Sequence, residues 1–350
     1  VGSEMCIRDR PLRPARKVTP MQFKPTLDLV KDGIQHIQQE HAESETKKRG
    51  ILRAGSTGLL FSDGAIAGKC ARQTYLRLEG IEAGEDDASR EFMFAAGRTN
   101  EDSWVDLFRR AGIPAENIKR EEEIPISWQT RSGRTVSGRP DIVLGEPRQE
   151  KWVPIKGIEL KLVSSLWTAR DVAIKQEPKA MHLMQAAHYS WKLGDLPFEL
   201  WYTSRADFAI NGWAQKNFPK QGQKGSQYCQ YNDKGEVLKT VPFIVGYQLD
   251  WNKGVLEYQS LTTPNSKWVP TIVTKRGIED YFELVDSMVQ SDSLPPRPLN
   301  VTATGEKGGY SICSYCPLQS VCDKTEGKGK AAWVQGVQEF AKHIPTTGSL

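Results

Sequence analysis

The 350-residue chain reads as an α/β domain, with a central mixed sheet flanked by helices and a cysteine-bearing segment near its C-terminal end. Three observations predict this. Apolar, β-branched runs fall between residues 122 and 163, and again at 198–203 and 241–261, bounded by glycine, proline and charge. Segments with helical apolar spacing lie before and after those runs. One further helical segment, 178–193, stands between two strand-like runs, as a crossover between parallel strands requires.

In chain order, the first ten residues, VGSEMCIRDR, match the translated read-through of a sequencing-library adapter. They are set apart from the fold together with the lead to residue 20, and Cys6 goes with them. Either Met21 is the start, or the true N-terminus is missing from the sequence. Leu27, Val30, Ile34 and Ile37 predict a surface helix over 26–48. Ile66, Cys70 and Thr74, one turn apart and stopped by Gly80, predict a second over 62–80. An acidic linker, EAGEDDASRE, leads to a third over 92–111, with Trp104, Leu107 and Phe108 as its apolar stripe. Strands are expected near 122–128, 135–144 and 153–163, with Gly145 to Lys151 as the break between the last two.

The helix over 178–193 carries proline in its first turn. A strand at 198–203 and a loop-rich stretch to residue 240, containing Lys216, Lys220 and Lys224, come next. Asn252-Lys253-Gly254 predicts a hairpin between 241–250 and 255–261. A helix over 276–290, a proline-rich connector and the cysteine cluster complete one domain, 21–323, before a Gly/Lys-rich tail at 324–350.

No apolar run approaches the 18 residues of a membrane-spanning helix. The balance of 47 basic against 43 acidic residues suits a nucleic-acid partner if the charge is gathered in a groove, and does not demand one. Neither a phosphate-binding G-x-x-x-x-G-K-[ST] loop nor a credible G-x-G-x-x-G is present, which argues against a nucleotide-binding platform.

The chemistry centres on residues 137–163. Asp141 opens one apolar run, and Glu159 and Lys161 lie two apart on the next, so their side chains leave one face of a strand. Carboxylates bind hard cations through oxygen, and a neighbouring ammonium orients a water or stabilises charge, which suits a divalent metal beside a phosphodiester. An isolated Glu-x-Lys pair is ordinarily a salt-bridged strand face. Pro140-Asp141 before it and the motifs around it change that balance. Cys313, Cys316 and Cys322 cluster near the C-terminus, and Cys70 makes a fourth thiol. On spacing alone such a set serves zinc and [4Fe–4S] equally, with unliganded thiols as the remaining alternative. A disulfide framework is not expected, because nothing marks the chain as secreted. Cys229 reads as a buried or free thiol.

Six motifs occur in one order: Cys70-x-Arg72-x-x-Tyr75, Gly97-x-x-x-Glu101, Pro140-Asp141, Glu159-x-Lys161, Gln185-x-x-x-Tyr189 and the terminal C-x2-C-x5-C. Over residues 62–323 that order resembles the RecB-like branch of the PD-(D/E)XK nucleases. It is similar in particular to members with an iron–sulfur staple, such as the AddB nuclease domain and the exonucleases of CRISPR adaptation and phages. The resemblance implies a restriction-endonuclease-like core. It implies that Asp141, Glu159 and the Leu160 carbonyl ligate Mg²⁺ or Mn²⁺, with Glu101 where many relatives carry histidine. Lys161 would position the attacking water, while Gln185 and Tyr189 would touch DNA near the scissile phosphate and orient the lysine. Arg72 and Tyr75 would contact the backbone or brace the cluster, and His182 and His188 read as structural. The four cysteines would hold [4Fe–4S] in preference to zinc.

The expected activity is a metal-dependent DNA exonuclease working on single-stranded ends, in recombination, repair or phage DNA processing. Its expected place is the cytoplasm of a bacterium or phage-infected cell. Without a helicase motif, any unwinding or recombination partner is a separate chain. Two other classes stay open: a DNA-end-binding subunit of a larger processing or CRISPR-adaptation complex, and a zinc-stapled scaffold.

Overall fold

A computed structural model of the protein describes residues 50–60, 66–81, 88–149, 151–163, 176–204, 233–235, 244–263 and 265–295. Isolated positions 33, 36, 39, 172, 316, 318 and 322 are described as well. Seven strands form the central sheet. In spatial order they are β12 (Val269–Thr274), β11 (Val255–Ser260), β10 (Ile244–Asn252), β9 (Phe198–Ser204), β8 (Lys151–Val163), β7 (Ile142–Arg148) and β4 (Ile118–Arg120). Neighbours are antiparallel except β8 and β9, which run parallel. A parallel pair needs a crossover. The helix α3 (Ala180–Lys192) lies between these two strands in the chain, as the sequence predicts.

A smaller sheet joins β1 (Leu52–Arg53), β6 (Thr135–Gly138) and β5 (Ile126–Gln129), and β2 (Gly58–Leu60) pairs with β3 (Ile66–Gly68). The remaining helices are α1 (Ala71–Leu78), α2 (Ala88–Arg110) and α4 (Lys275–Gln290). The molecule is therefore mixed α/β, with a large mixed sheet flanked by helices.

Strand β8 is covered on both faces, which explains its unbroken run of buried residues from Gly157 to Leu160. Ile142, Ile158 and Leu160 pack with Trp104 and Val105 of α2. Val143 and Val163 belong to the larger core with Leu183, Met184 and Ala187 of α3 and Phe198, Leu200 and Tyr202 of β9. At Gly157 a Cβ would lie 2.0 Å from the Phe198 ring, so only glycine admits that close approach. Helix α4 is capped by Thr274, whose hydroxyl accepts the Gly277 N–H at 3.0 Å. It buries Ile278, Tyr281, Phe282, Val285 and Met288 along one face, each side chain contributing roughly 1.5–3 kcal/mol.

Several boundaries differ from the sequence reading. The expected helix over 62–80 is a strand, β3, followed by a helix that starts only at Ala71. Gly68 sits at φ +82°, where a Cβ would strike the Met184 sulfur and the Thr57 carbonyl, so the chain turns there and Cys70 becomes the helix cap. The expected strand over 135–144 is two strands in two sheets, separated at Arg139-Pro140-Asp141, because proline supplies no ladder N–H. The supposed break at Gly145 to Lys151 is almost all strand. Arg148 pairs with Lys151, and Gln149 sits at φ 54° where the chain turns between them. Helix α2 begins at Ala88, inside the expected linker, and Leu107 points outward at 54% exposure while Val105 is buried. Strands β4 and β12 were not expected from the sequence. In the first expected helix, residues 33, 36 and 39 are helical, and the rest lies outside the described residues, as do the loop lysines at 216, 220 and 224.

Candidate metal centre

Three carboxylates converge from three elements. Glu101 comes from α2, Glu121 from the turn after β4, and Asp141 from the corner that enters β7. One oxygen from each lies within 4.8 Å of the other two, and this is the only such group of ligand atoms among the described residues. Asp141 is 7% exposed. Its Oδ2 accepts the Leu160 backbone N–H at 2.6 Å, which ties the acid to the strand carrying Glu159 and Lys161.

Glu159 is fully buried. Its Oε1 accepts from Lys161 Nζ at 2.6 Å, as expected of side chains two apart on one strand. Its Oε2 has no hydrogen-bond partner. Burial, reinforced by the charges of Asp141 and Glu121, pushes Glu101 up to about 8. Burial likewise raises Asp141, against the pull of Lys161 and the Leu160 N–H. Glu159 is raised by burial and then by the Asp141 charge. Burial alone would lower the Lys161 ammonium, but Glu159 and Asp141 outweigh it and hold the group above its usual range.

These carboxylates are acceptor-rich and mutually repelling, with Lys161 on Glu159 and Arg120 3.9 Å from Glu101 as the cations beside them. A divalent cation with oxygen ligands fits that donor set, and the orphaned Glu159 oxygen gives it one more buried acceptor. The set differs from the one read from sequence. Glu101 and Asp141 are joined by Glu121, which was not singled out, while Glu159 is drawn toward Lys161. Leu160 takes part through its N–H. Glu121 is the first of three consecutive glutamates, and the turn selects it. Glu123 bonds back to the Arg120 N–H at 3.0 Å, and Glu122 faces solvent 3.9 Å from Arg139.

Gln185 and Tyr189 stand beside this group. Gln185 Nε2 donates to Tyr189 Oη at 3.1 Å. Tyr189 is 3% exposed, and burial followed by the Glu159 charge raises its pKa well above the usual range, against the pull of Gln185 and the Arg139 backbone. His188 belongs to the core, where burial and Lys192 push it down to about 3.

The cysteines occupy the other end of α1. Cys70 caps this helix, its sulfur accepting the Gln73 N–H at 3.4 Å. Arg72, 4% exposed, donates through Nε to the Pro295 carbonyl at 2.6 Å and through Nη1 to Cys322 Sγ at 3.3 Å. Tyr75 donates to Asp292 Oδ1 at 2.9 Å. These bonds bring the N-terminal helix to the segment after α4, and Arg72 and Tyr75 act here as braces. Cys313 and Cys229 lie outside the described residues. Tetrahedral zinc sets its sulfurs about 3.8 Å apart. Cys70, Cys316 and Cys322 do not gather at that spacing. No helix among the described residues is long and apolar enough to cross a membrane. No family model, curated protein or solved structure matches the chain.

Proposed function

We propose that the protein is a metal-dependent deoxyribonuclease of the RecB-like PD-(D/E)XK kind, acting on single-stranded DNA ends. The observation that carries this reading is Lys161 bonded to the buried Glu159, next to the Glu101, Glu121 and Asp141 carboxylates. Mg²⁺ or Mn²⁺ held by Glu101, Glu121 and Asp141, with Glu159 as a further buried carboxylate beside them, would lower the pKa of a bound water and polarise a phosphoryl group.

The chain's own residues supply the rest. The Lys161 ammonium, kept charged by two carboxylates, aligns the attacking water and stabilises charge building on the phosphoryl oxygens. Tyr189 Oη accepts from Gln185 Nε2 and keeps its own proton to donate to a substrate oxygen. Gln185 holds it in place. Water attack at phosphorus with departure of the 3′-oxygen leaves a 5′-phosphate on the product. Cys70, Cys313, Cys316 and Cys322 would hold a [4Fe–4S] cluster as a structural staple, in a cytoplasmic protein whose helicase or recombination partner is a separate chain.

The test is cleavage of end-labelled single-stranded DNA by the purified protein in EDTA, Mg²⁺ or Mn²⁺, with the visible spectrum recorded on the same sample. Metal-dependent cleavage by a brown protein is the expected result. Binding without turnover in any metal overturns the nuclease reading in favour of an end-binding subunit. A colourless protein that cuts overturns the cluster alone.

A further inference from the structure

Two histidines of α3 are alike in sequence and differ in surroundings. His188 spends both ring nitrogens in the core: Nε2 accepts from Trp128 Nε1 at 2.9 Å, and Nδ1 meets Thr57 Oγ1 at 2.9 Å. His182 is only partly buried, and among the described residues its single hydrogen-bond partner is Tyr202 Oη, 3.1 Å from Nδ1.

That hydroxyl assigns the tautomer of His182. Tyr202 Oη accepts the Lys179 backbone N–H at 3.0 Å and keeps its own proton, for which Nδ1 at 3.1 Å is the acceptor at hand among the described residues. The ring proton of His182 then sits on Nε2. Burial, with Lys161, Lys179 and Lys69 nearby, holds the imidazole well below its usual pKa, so the ring is a neutral donor. Burial also keeps the Tyr202 phenol protonated.

The location follows from strand register. Lys161 and Tyr202 are partners on the parallel strands β8 and β9, so they leave the same face side by side. His182 stacks on Tyr202 with ring centroids 5.5 Å apart. Along α3, His182, Gln185 and Tyr189 stand at i, i+3 and i+7, one helix face. Tyr189 and Gln185 already border the carboxylates, and His182 continues that row past Lys161. A neutral N–H here binds an oxyanion without adding a cation beside three ammonium groups or near the metal.

We infer that His182 is a substrate-binding residue, whose Nε2–H donates to a non-bridging phosphate oxygen of the DNA strand next to the cleavage site. This rests on the nuclease reading above, and extends it to a second phosphate subsite set by the Tyr202–His182 pair and flanked by Lys161.

The test measures binding of a fluorescein-labelled oligothymidylate in EDTA, where no cleavage occurs, together with oligonucleotides carrying one neutral methylphosphonate at each linkage in turn. H182A should bind the unmodified strand about tenfold more weakly, the scale of a lost hydrogen bond to a charged group. One methylphosphonate position should weaken the wild type similarly and H182A no further. H182Q, which keeps an N–H donor, should recover most of the affinity. Nitrogen-15 spectra of the free protein should show the Nε2–H tautomer, lost in Y202F. Binding by H182A equal to wild type, or a loss that ignores linkage position, overturns the inference while leaving cleavage intact. A wild-type protein that neither binds DNA nor cuts it with Mg²⁺ or Mn²⁺ overturns the nuclease reading, and this subsite with it.

Discussion

The backbone N–H of Leu160 donates to Asp141 Oδ2 at 2.6 Å, so the acid at the end of one strand is held by the residue lying between Glu159 and Lys161 on the next. That bond links the two halves of the site through backbone. The Asp141 carboxylate therefore serves both geometry and charge, and the two roles are separable by substitution.

D141N keeps a carbonyl acceptor for the Leu160 N–H and removes the charge. Because the fold already raises the Asp141 pKa, the neutral side chain should be tolerated, with a thermal midpoint equal to wild type or higher. Cleavage should fall by roughly 100-fold or more, as expected when a charge acting on the transition state is lost. D141A instead leaves a buried N–H unpaired and should cost about 1–3 kcal/mol. Thermal scans and single-turnover cleavage on both variants separate the effects. D141N cleaving like wild type would remove Asp141 from the site.

The raised carboxylates give the metal-free protein a pH dependence of known sign. Below the unfolded values, 3.8 for Asp141 and 4.5 for Glu101 and Glu159, both states are protonated and nothing is lost. As pH rises toward about 8, the folded state retains protons that the unfolded state has released, so stability falls, by at most about 1.4 kcal/mol per pH unit for each group. In EDTA the thermal midpoint should decline from pH 5 to pH 8.5. Mg²⁺ or Mn²⁺ should restore it, by an amount that grows with pH. An equal metal shift at pH 5 and pH 8.5 would contradict the assignment.

What was legible in the sequence was local. Asn252-Lys253-Gly254 encodes its hairpin, with Lys253 at φ 51° and Gly254 at φ 85° supplying the turn. Glu159 and Lys161 meet because strand geometry puts alternate residues on one face. Other features depended on distant partners. Gly68 turns the chain where a Cβ would strike Met184, more than a hundred residues away, and helical spacing through Cys70 carried no sign of that contact. Glu121 enters the carboxylate group because its two neighbours are engaged by Arg120 and Arg139, a choice made by the turn among three identical residues. The two histidines of α3 parted in the same way, according to what packed against each.

Arg72 offers a test of the staple that does not touch the carboxylates. Its guanidinium reaches Pro295 and Cys322 together, a fork that lysine cannot reproduce. With the proposed [4Fe–4S] cluster on Cys322, R72K should weaken its retention by about 10-fold to 100-fold, the usual range for a lost partner of a metal ligand. Iron content and visible absorbance should fall together, and limited proteolysis should release the C-terminal segment sooner. D141N should leave all three unchanged. Iron retained at the wild-type level in R72K would separate Arg72 from the cluster.

Asp286 of α4 anchors the turn between β5 and β6. It is 1% exposed and accepts from Thr130 Oγ1 at 2.6 Å, from Arg134 Nε at 2.5 Å and from Ser132 Oγ, while Glu283 accepts the Arg131 N–H at 3.0 Å. The turn between β5 and β6 is thereby fastened to α4. Burial alone would raise the Asp286 pKa, but the hydrogen bonds of Ser132 and Thr130 and the Arg134 charge outweigh it and hold the carboxyl below its ordinary value. A lowered folded value contributes stability above the unfolded pKa of 3.8, and that contribution disappears as pH falls through the folded one. D286N leaves Arg134 without its counter-charge and should cost about 3 kcal/mol at pH 7, the lower end for breaking a buried pair because Arg134 is partly exposed. Urea unfolding should show the gap between D286N and wild type narrowing toward pH 3. Metal-dependent cleavage by the folded fraction should stay near wild type, since the clamp makes no contact with the carboxylate group. A gap that persists unchanged at pH 3 would mean that packing, and not the charge on Asp286, holds the turn to the helix.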